Sequence, residues 1–285
     1  MSASLDLQSR LQSHPLQKVE NTFGTTQYRH AGASTAQATH VLLHGIGSGS
    51  GSWLMQLDAA IDNSQHVSVL AWEAPGYGDS TRVSPKQPLA IDYSQRVWAW
   101  LDSLEITHPI TLVGHSLGAL MAASAASTQP ERVSSLVLLA PAQGYGLADA
   151  TLRQQKLNDR LHAIQTLGPK GMAKKRGAAM LSSQCSAEQL TYVQSIMAQV
   201  DPSGYTQAAH LLSQGDIATD LRHSKSPLII ASGRADGITP MTGCQNLAER
   251  FNVPWQDLGD VGHACALEGA ATVNTLLGLC KKTSQ

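Results

Sequence analysis

The segment Gly114-His115-Ser116-Leu117-Gly118 constrains this chain more than any other stretch. An apolar run, Ile110–Val113, leads into it, and an alanine-rich stretch, Leu117–Thr128, leads away. The run has the Val/Ile/Leu character of a strand covered on both faces, and the stretch has the composition of a helix. A serine placed between such elements occupies a tight strand-to-helix turn, which demands small residues two positions to either side. The turn lifts the hydroxyl clear of the sheet and aims the N-terminus of the following helix at it. Unpaired N–H groups and the positive end of the helix dipole then face any negative charge that develops there. The bland alternative is a glycine-rich turn with an idle serine; the strand–turn–helix setting argues against it.

Short apolar runs recur around this turn: His40–Leu43, Val67–Trp72, Val133–Leu139, Leu228–Ala231 and Val253–Leu258. Helix-compatible patterns alternate with them at Trp53–Ile61 and Tyr93–Leu104, and Ala264–Leu279 reads as a closing helix. That alternation predicts βαβ units and a mainly parallel sheet. Residues 142–220 differ, because no strand pattern appears and Ala, Gln, Leu and Met recur at helical spacing. Breaks at Gly168-Pro169, Ser182-Ser183 and Asp201–Gly204 divide this block into about four helices. The expected organisation is a core of residues 1–141 and 221–285 with a helical insertion at 142–220. Insertions at that end of a parallel sheet lie over the strand ends where ligands bind.

A serine hydroxyl is a weak nucleophile at neutral pH and needs a base held in one tautomer by an acid. Asp236 follows the Leu228–Ala231 run, in the string Asp-Gly-Ile-Thr-Pro, and His263 follows the last run in Gly-His-Ala-Cys. Both lie after Ser116 in loops at one sheet edge, which makes them the expected acid and base. Asp260 reads as a turn former, and His115 reads as a packing residue because neighbours in a tight turn point apart. His210 and His223 read as structural. The glycine-rich loop His44–Trp53 contains neither a GK[ST] nor the GxGxxG register, so it does not cradle a nucleotide. Its expected use is a second oxyanion donor, the N–H of Ile46, beside that of Leu117. Gly45, Trp53 and His115 are expected near the pocket.

The net charge is −1, charged residues make up only 14% of the chain, and no long basic or acidic block occurs. A nucleic-acid groove or an anionic membrane surface wants clustered cations, so neither partner is expected. Lys174-Lys175-Arg176 is too short to change this and reads as a solvated helix face, as do Arg153 and Arg160. No apolar run reaches the roughly 18 residues of a membrane span, and the first 18 residues lack a secretory apolar core. The four cysteines show no CxxC spacing, so they predict free thiols in a reducing compartment, no zinc site and a cytoplasmic enzyme. The sequence leaves the oligomeric state open.

Five motifs now stand in order: His44-Gly-Ile-Gly47, Trp72-Glu-Ala-Pro-Gly-Tyr-Gly-Asp-Ser80, Gly114–Gly118, Gly233…Asp236 and Gly262-His263. In this order the chain resembles the α/β-hydrolase superfamily along nearly its whole length. The resemblance implies an α/β-hydrolase fold: a mostly parallel eight-stranded sheet, helices on both faces, and an inserted helical cap. It also implies that Ala74–Ser80 is a structural turn, which leaves Glu73 and Asp79 without a catalytic role. Within the superfamily the chain looks closest to enol-lactonases, meta-cleavage-product C–C hydrolases and lidded carboxylesterases. Ala264 and Cys265 follow His263 where the C–C hydrolases usually carry a tryptophan. For the cap arginine that the C–C hydrolases use for the substrate's acid group, Arg153, Arg160 and Arg176 are the candidates, each reading as a helix-surface residue. Dehalogenases and epoxide hydrolases would carry an aspartate at position 116. The expected activity is hydrolysis of a small carboxylic ester or lactone, with no cofactor and no metal. Met172, Met180 and Met197 would suit an apolar acyl group. The rivals are C–C hydrolysis of a vinylogous diketone and a silent ligand-binding protein on the same fold.

Overall fold

Period-two alternation along the central strands sends side chains to two separate apolar layers. Val41, Leu43, Leu70, Trp72, Leu112 and Leu138 enter one layer, and Leu42, Val69, Ala71, Val113, Val137 and Leu139 enter the other. Both faces of the sheet must therefore be covered by helices. The computed structural model describes residues 6–280, so the first five residues of the N-terminal stretch read above lie outside the described residues.

Eight strands form one sheet: β1 (Gln17–Asn21), β2 (Gly24–Gly32), β3 (His40–Leu43), β4 (Ser68–Trp72), β5 (Ile110–His115), β6 (Val133–Leu139), β7 (Leu228–Ser232) and β8 (Trp255–Asp257). Their order is β1-β2-β4-β3-β5-β6-β7-β8. β2 runs antiparallel to both neighbours, and every other pairing is parallel. The helix α1 (Leu7–Gln12) precedes the sheet. The first layer is covered by α3 (Ala90–Ser103) and α4 (Leu117–Thr128), which bring Tyr93, Val97, Trp100 and a row of alanines. The second is covered by α2 (Leu54–Asp62), which brings Leu57 and Ala60.

Between β6 and β7 the described chain is helical: α5 (Ala150–Arg176), α6 (Ala187–Met197), α7 (Pro202–Gln214) and α8 (Ile217–Leu221). The three expected breaks occur. Gly168 leaves the helical region at φ 61°, ψ 177°, immediately before Pro169. Ser182 is diverted to Glu268, whose carboxylate accepts from its N–H and hydroxyl. Asp201 caps α7 by accepting from the N–H groups of Ser203 and Gly204. After β7 come α9 (Met241–Phe251), α10 (Cys265–Glu268) and α11 (Ala270–Leu276), and α11 adds Val273 to the second layer. Among the described residues no helix is long and apolar enough to cross a membrane.

Two readings of individual elements need correcting. The closing helix is not continuous over Ala264–Leu279: it splits at Gly269, a residue with little helical preference. No apolar run announced β1 and β2. β1 is a half-buried edge strand reading Gln-Lys-Val-Glu-Asn, and β2 is dominated by polar residues. Edge pairing requires backbone hydrogen bonds but no apolar run, so periodicity is blind to it.

Candidate active site

Ser116 lies between β5 and α4 with φ 52° and ψ −116°, a backbone region that costs a non-glycine residue on the order of 1–3 kcal/mol. The surroundings hold it there. Its N–H donates to the Leu139 carbonyl at 3.0 Å, and its carbonyl accepts from Ala119 and Ala142 at 3.1 and 3.0 Å. The flanking glycines are required by close approach. A Cβ on Gly114 would stand 2.5 Å from the Gly118 carbonyl oxygen, and one on Gly118 would overlap the Leu43 carbonyl.

Asp236 and His263 meet behind the serine. His263 Nδ1 is 2.8 Å from Asp236 Oδ2, with both side chains buried. Asp236 Oδ1 accepts from the N–H groups of Ile238 and Thr239 at 2.7 and 3.0 Å. Burial alone would raise the Asp236 carboxyl, but the His263 hydrogen bond and charge, with the two N–H groups, hold it below the usual range. An ionised Asp236 accepts a hydrogen bond from the Nδ1–H of His263, which leaves Nε2 with the free lone pair. Ser116 and His263 both line a cavity of about 240 Å³. No hydrogen bond joins them in this structure, and neither Ser116 Oγ nor His263 Nε2 has a partner among the described residues.

Thr239 is the participant that sequence reasoning missed. Its hydroxyl lies 2.8 Å from Asp236 Oδ2, 3.0 Å from the Ala140 carbonyl and 3.1 Å from His263 Nδ1. The signal was present in Asp236-Gly-Ile-Thr-Pro240. An aspartate that caps the N–H groups two and three positions on folds the third side chain back toward its own carboxylate.

The glycine-rich loop approaches from the other side. A Cβ on Gly45 would stand 2.8 Å from Ser116 Cβ, so only glycine lets the loop come this near. The N–H groups of Ile46 and Leu117 donate no hydrogen bond among the described residues. Glu73 braces the loop by accepting from the Ser50 N–H at 3.0 Å and its hydroxyl at 2.5 Å. His44 spans the Gly45 carbonyl and the Ala74 N–H.

The other titratable candidates fall away. Asp260 pairs with Arg234 at an exposed position, and Asp79 pairs with Lys18 at the surface. His115 bonds the His263 carbonyl through Nε2 at 2.8 Å. Burial first, then the neighbouring His263, pulls its pKa down to about 3, so it stays neutral. His210 and His223 line no part of the cavity.

Of Gly45, Trp53 and His115, none lines the main cavity. Gly45 abuts the Ser116 side chain. The His115 ring packs against the ring of His263, and Trp53 of the second apolar layer packs edge-on against it. Trp53 and His115 border a smaller cavity of about 40 Å³, which shares Gly47, Met180 and Met197 with the main one. Met172, Met180 and Met197 all line the main cavity, and so do Arg160 and Arg176, which the sequence placed on solvated helix faces.

The chain is 29% identical over 239 residues to a dihydrolipoyllysine-residue acetyltransferase component of an acetoin cleaving system from Pseudomonas putida. That match covers 82% of this chain and spans 60% of the relative's length. It is 28% identical over 254 residues to a Klebsiella pneumoniae (strain 342) protein carrying the name carbamate hydrolase RutD, covering 83% of this chain and 88% of that one. Among solved structures, the enol-lactonase of Burkholderia xenovorans LB400 superposes with a TM-score of 0.80 at 20% identity. The superposition covers 92% of this chain and 99% of the enol-lactonase. The family model described as alpha/beta hydrolase fold matches residues 41–270, which contain every motif named above. The chain belongs to the α/β-hydrolase fold family.

Proposed function

We propose that this hydrolase cleaves a small carboxylic ester or lactone through an acyl-enzyme on Ser116. The observation that carries the reading is the Asp236–His263 pair, hydrogen-bonded at 2.8 Å and opening onto the cavity that Ser116 lines. His263 Nε2 takes the Ser116 proton as Oγ attacks the carbonyl carbon, and the carbonyl π electrons move onto oxygen. The N–H groups of Ile46 and Leu117 receive that oxyanion. On collapse the carbon–oxygen bond to the alcohol breaks, and His263 returns the proton to the leaving alkoxide. Water then attacks the acyl-enzyme with His263 as base again, which releases the acid and restores Ser116. Asp236 keeps the imidazole in its Nδ1–H tautomer and stabilises the imidazolium in both halves.

Residues 142–220 serve as a cap over the strand ends. They supply Met172, Met180, Met197 and Tyr205 to the wall of the cavity that Ser116 lines. The methionines give an adaptable apolar surface for an acyl or alkyl group. The test is turnover of short p-nitrophenyl esters. Ser116→Ala is expected to abolish it and to block labelling by a fluorophosphonate probe; full activity in that variant would sink the reading. Bleaching of a coloured ring-cleavage diketone would point to C–C hydrolysis instead.

A further inference from the structure

Residues 45–51 read Gly-Ile-Gly-Ser-Gly-Ser-Gly, so every second position lacks the side chain that would restrict its backbone. The Ile46 N–H can keep a fixed place beside Ser116 only if contacts from outside hold this loop. The core supplies several of them. Glu73 accepts from Ser50, Arg29 donates to the Ser50 hydroxyl at 3.0 Å, and the Gly47 N–H lies 3.5 Å from the Tyr77 hydroxyl. Another comes from α6, in the proposed cap. The Tyr192 hydroxyl donates to the Gly51 carbonyl at 2.7 Å. Among the described residues no other side chain of the segment 142–220 hydrogen-bonds this loop.

Gly51 is pressed from two further directions. A Cβ there would stand 3.2 Å from Ile196 Cδ1, one turn along α6 from Tyr192, and 3.0 Å from Leu11 Cδ2 of α1. α1 is itself fastened to α6. The Leu7 N–H donates to the Glu188 carboxylate at 2.8 Å, and Leu7 joins Tyr192, Val193 and Ile196 in one apolar cluster. Tyr192 is only 1% exposed, and burial raises its hydroxyl, so the group stays protonated and available as a donor. The Gly51 carbonyl already accepts from the Leu54 N–H within the backbone. The Tyr192 bond is therefore not required to satisfy that carbonyl, and what it adds is a link between α6 and the loop. Tyr192 borders the smaller cavity and not the main one, so it acts on a substrate in the main cavity only through the loop.

We infer that Tyr192 is a positioning residue for the oxyanion site: its bond to Gly51 lets α6 hold the loop that carries the Ile46 donor. This rests on the hydrolytic reading above and makes the seating of residues 142–220 part of the catalytic geometry. An oxyanion donor acts as charge develops, so misplacing it lowers kcat and leaves KM nearly unchanged.

The test is Tyr192→Phe, which keeps the ring and removes the hydroxyl. It is assayed with a short p-nitrophenyl ester, and with a trifluoromethyl ketone whose adduct on Ser116 places an oxyanion in the same site. kcat is expected to fall about 10-fold, short of the about 10²–10³ that follows outright loss of a donor. KM should stay within about twofold, and the inhibition constant of the ketone should rise in step with the fall in kcat/KM. A loss carried by KM with an unchanged inhibition constant, or a kcat within about twofold of wild type in the folded variant, overturns the inference. Gly51→Ala reaches the same contact from the loop side, at a backbone position without a positive φ, and should also lose kcat at constant KM. If Tyr192→Phe does not fold, Gly51→Ala decides by the same criterion. If the wild type hydrolyses no ester, the hydrolytic reading fails separately. Hydrogen–deuterium exchange then decides the bracing: faster exchange of the amides of residues 45–53 in Tyr192→Phe upholds it, and unchanged exchange refutes it.

Discussion

Gly45→Ala puts the glycine-rich loop to a sharp test. The new methyl group would stand 2.8 Å from Ser116 Cβ and 3.3 Å from Oγ. Ordinary carbon–carbon contact begins at about 3.5–4.0 Å, so loop and serine must separate by about 0.7–1.2 Å. Ser116 is fixed by three backbone hydrogen bonds and by Gly114 and Gly118, so most of the displacement falls on the loop. A hydrogen bond of about 2.9 Å does not survive such a shift. The expected consequence is loss of the Ile46 donor, about 2.7–4 kcal/mol in the transition state or about 10²–10³ in kcat. Because that contact matures only as charge develops, KM should change little. The assay is steady-state kinetics on a short p-nitrophenyl ester, with thermal unfolding in parallel, since overpacking by itself costs about 1–3 kcal/mol of stability. A folded Gly45→Ala enzyme with kcat within twofold of wild type would refute the placement of the oxyanion donor at Ile46.

Two further perturbations address the acid and the fold. Thr239→Val removes the hydroxyl between Asp236, His263 and the Ala140 carbonyl, and should lower kcat/KM about 10-fold or more. Thr239→Ser should restore it, and a loss that serine does not rescue would mean that only the packing of the site was disturbed. Asp220 is raised to about 6 by burial first and by neighbouring Asp216. For an acid with a raised folded pKa, stability falls as pH climbs from the unfolded value of about 4 through 6 and stays reduced above. Asp220→Asn is therefore expected to raise Tm at pH 7 and to leave it unchanged near pH 3.5; an equal gain at both pH values would contradict the assignment.

Much of this was legible in one dimension because the relevant physics is local. A serine turn between a strand and a helix needs its glycines within two residues, so position 116 announces itself. Val41–Leu43 and Leu136–Leu139 are buried and apolar at every position, so these segments could be read without the fold. The antiparallel pair β1–β2 could not, since an edge is held by backbone bonds that any side chain permits.

Ser116, with Asp236 and His263 ordered behind it, could be proposed from the chain because topology restricts where the partners of a strand-end serine may lie. The tertiary structure alone decided which side chains share the cavity. Trp53 and His115 lie outside it, packed edge-on against each other beside the smaller cavity. Thr239 enters the hydrogen-bond network because Asp236 folds its own loop back. Arg160 and Arg176, far apart in sequence and on opposite faces of an ideal helix, meet in one pocket because a single glycine redirects α5. Periodicity predicts faces only while the axis stays straight. Where the axis breaks, the placement of charge becomes a property of the fold.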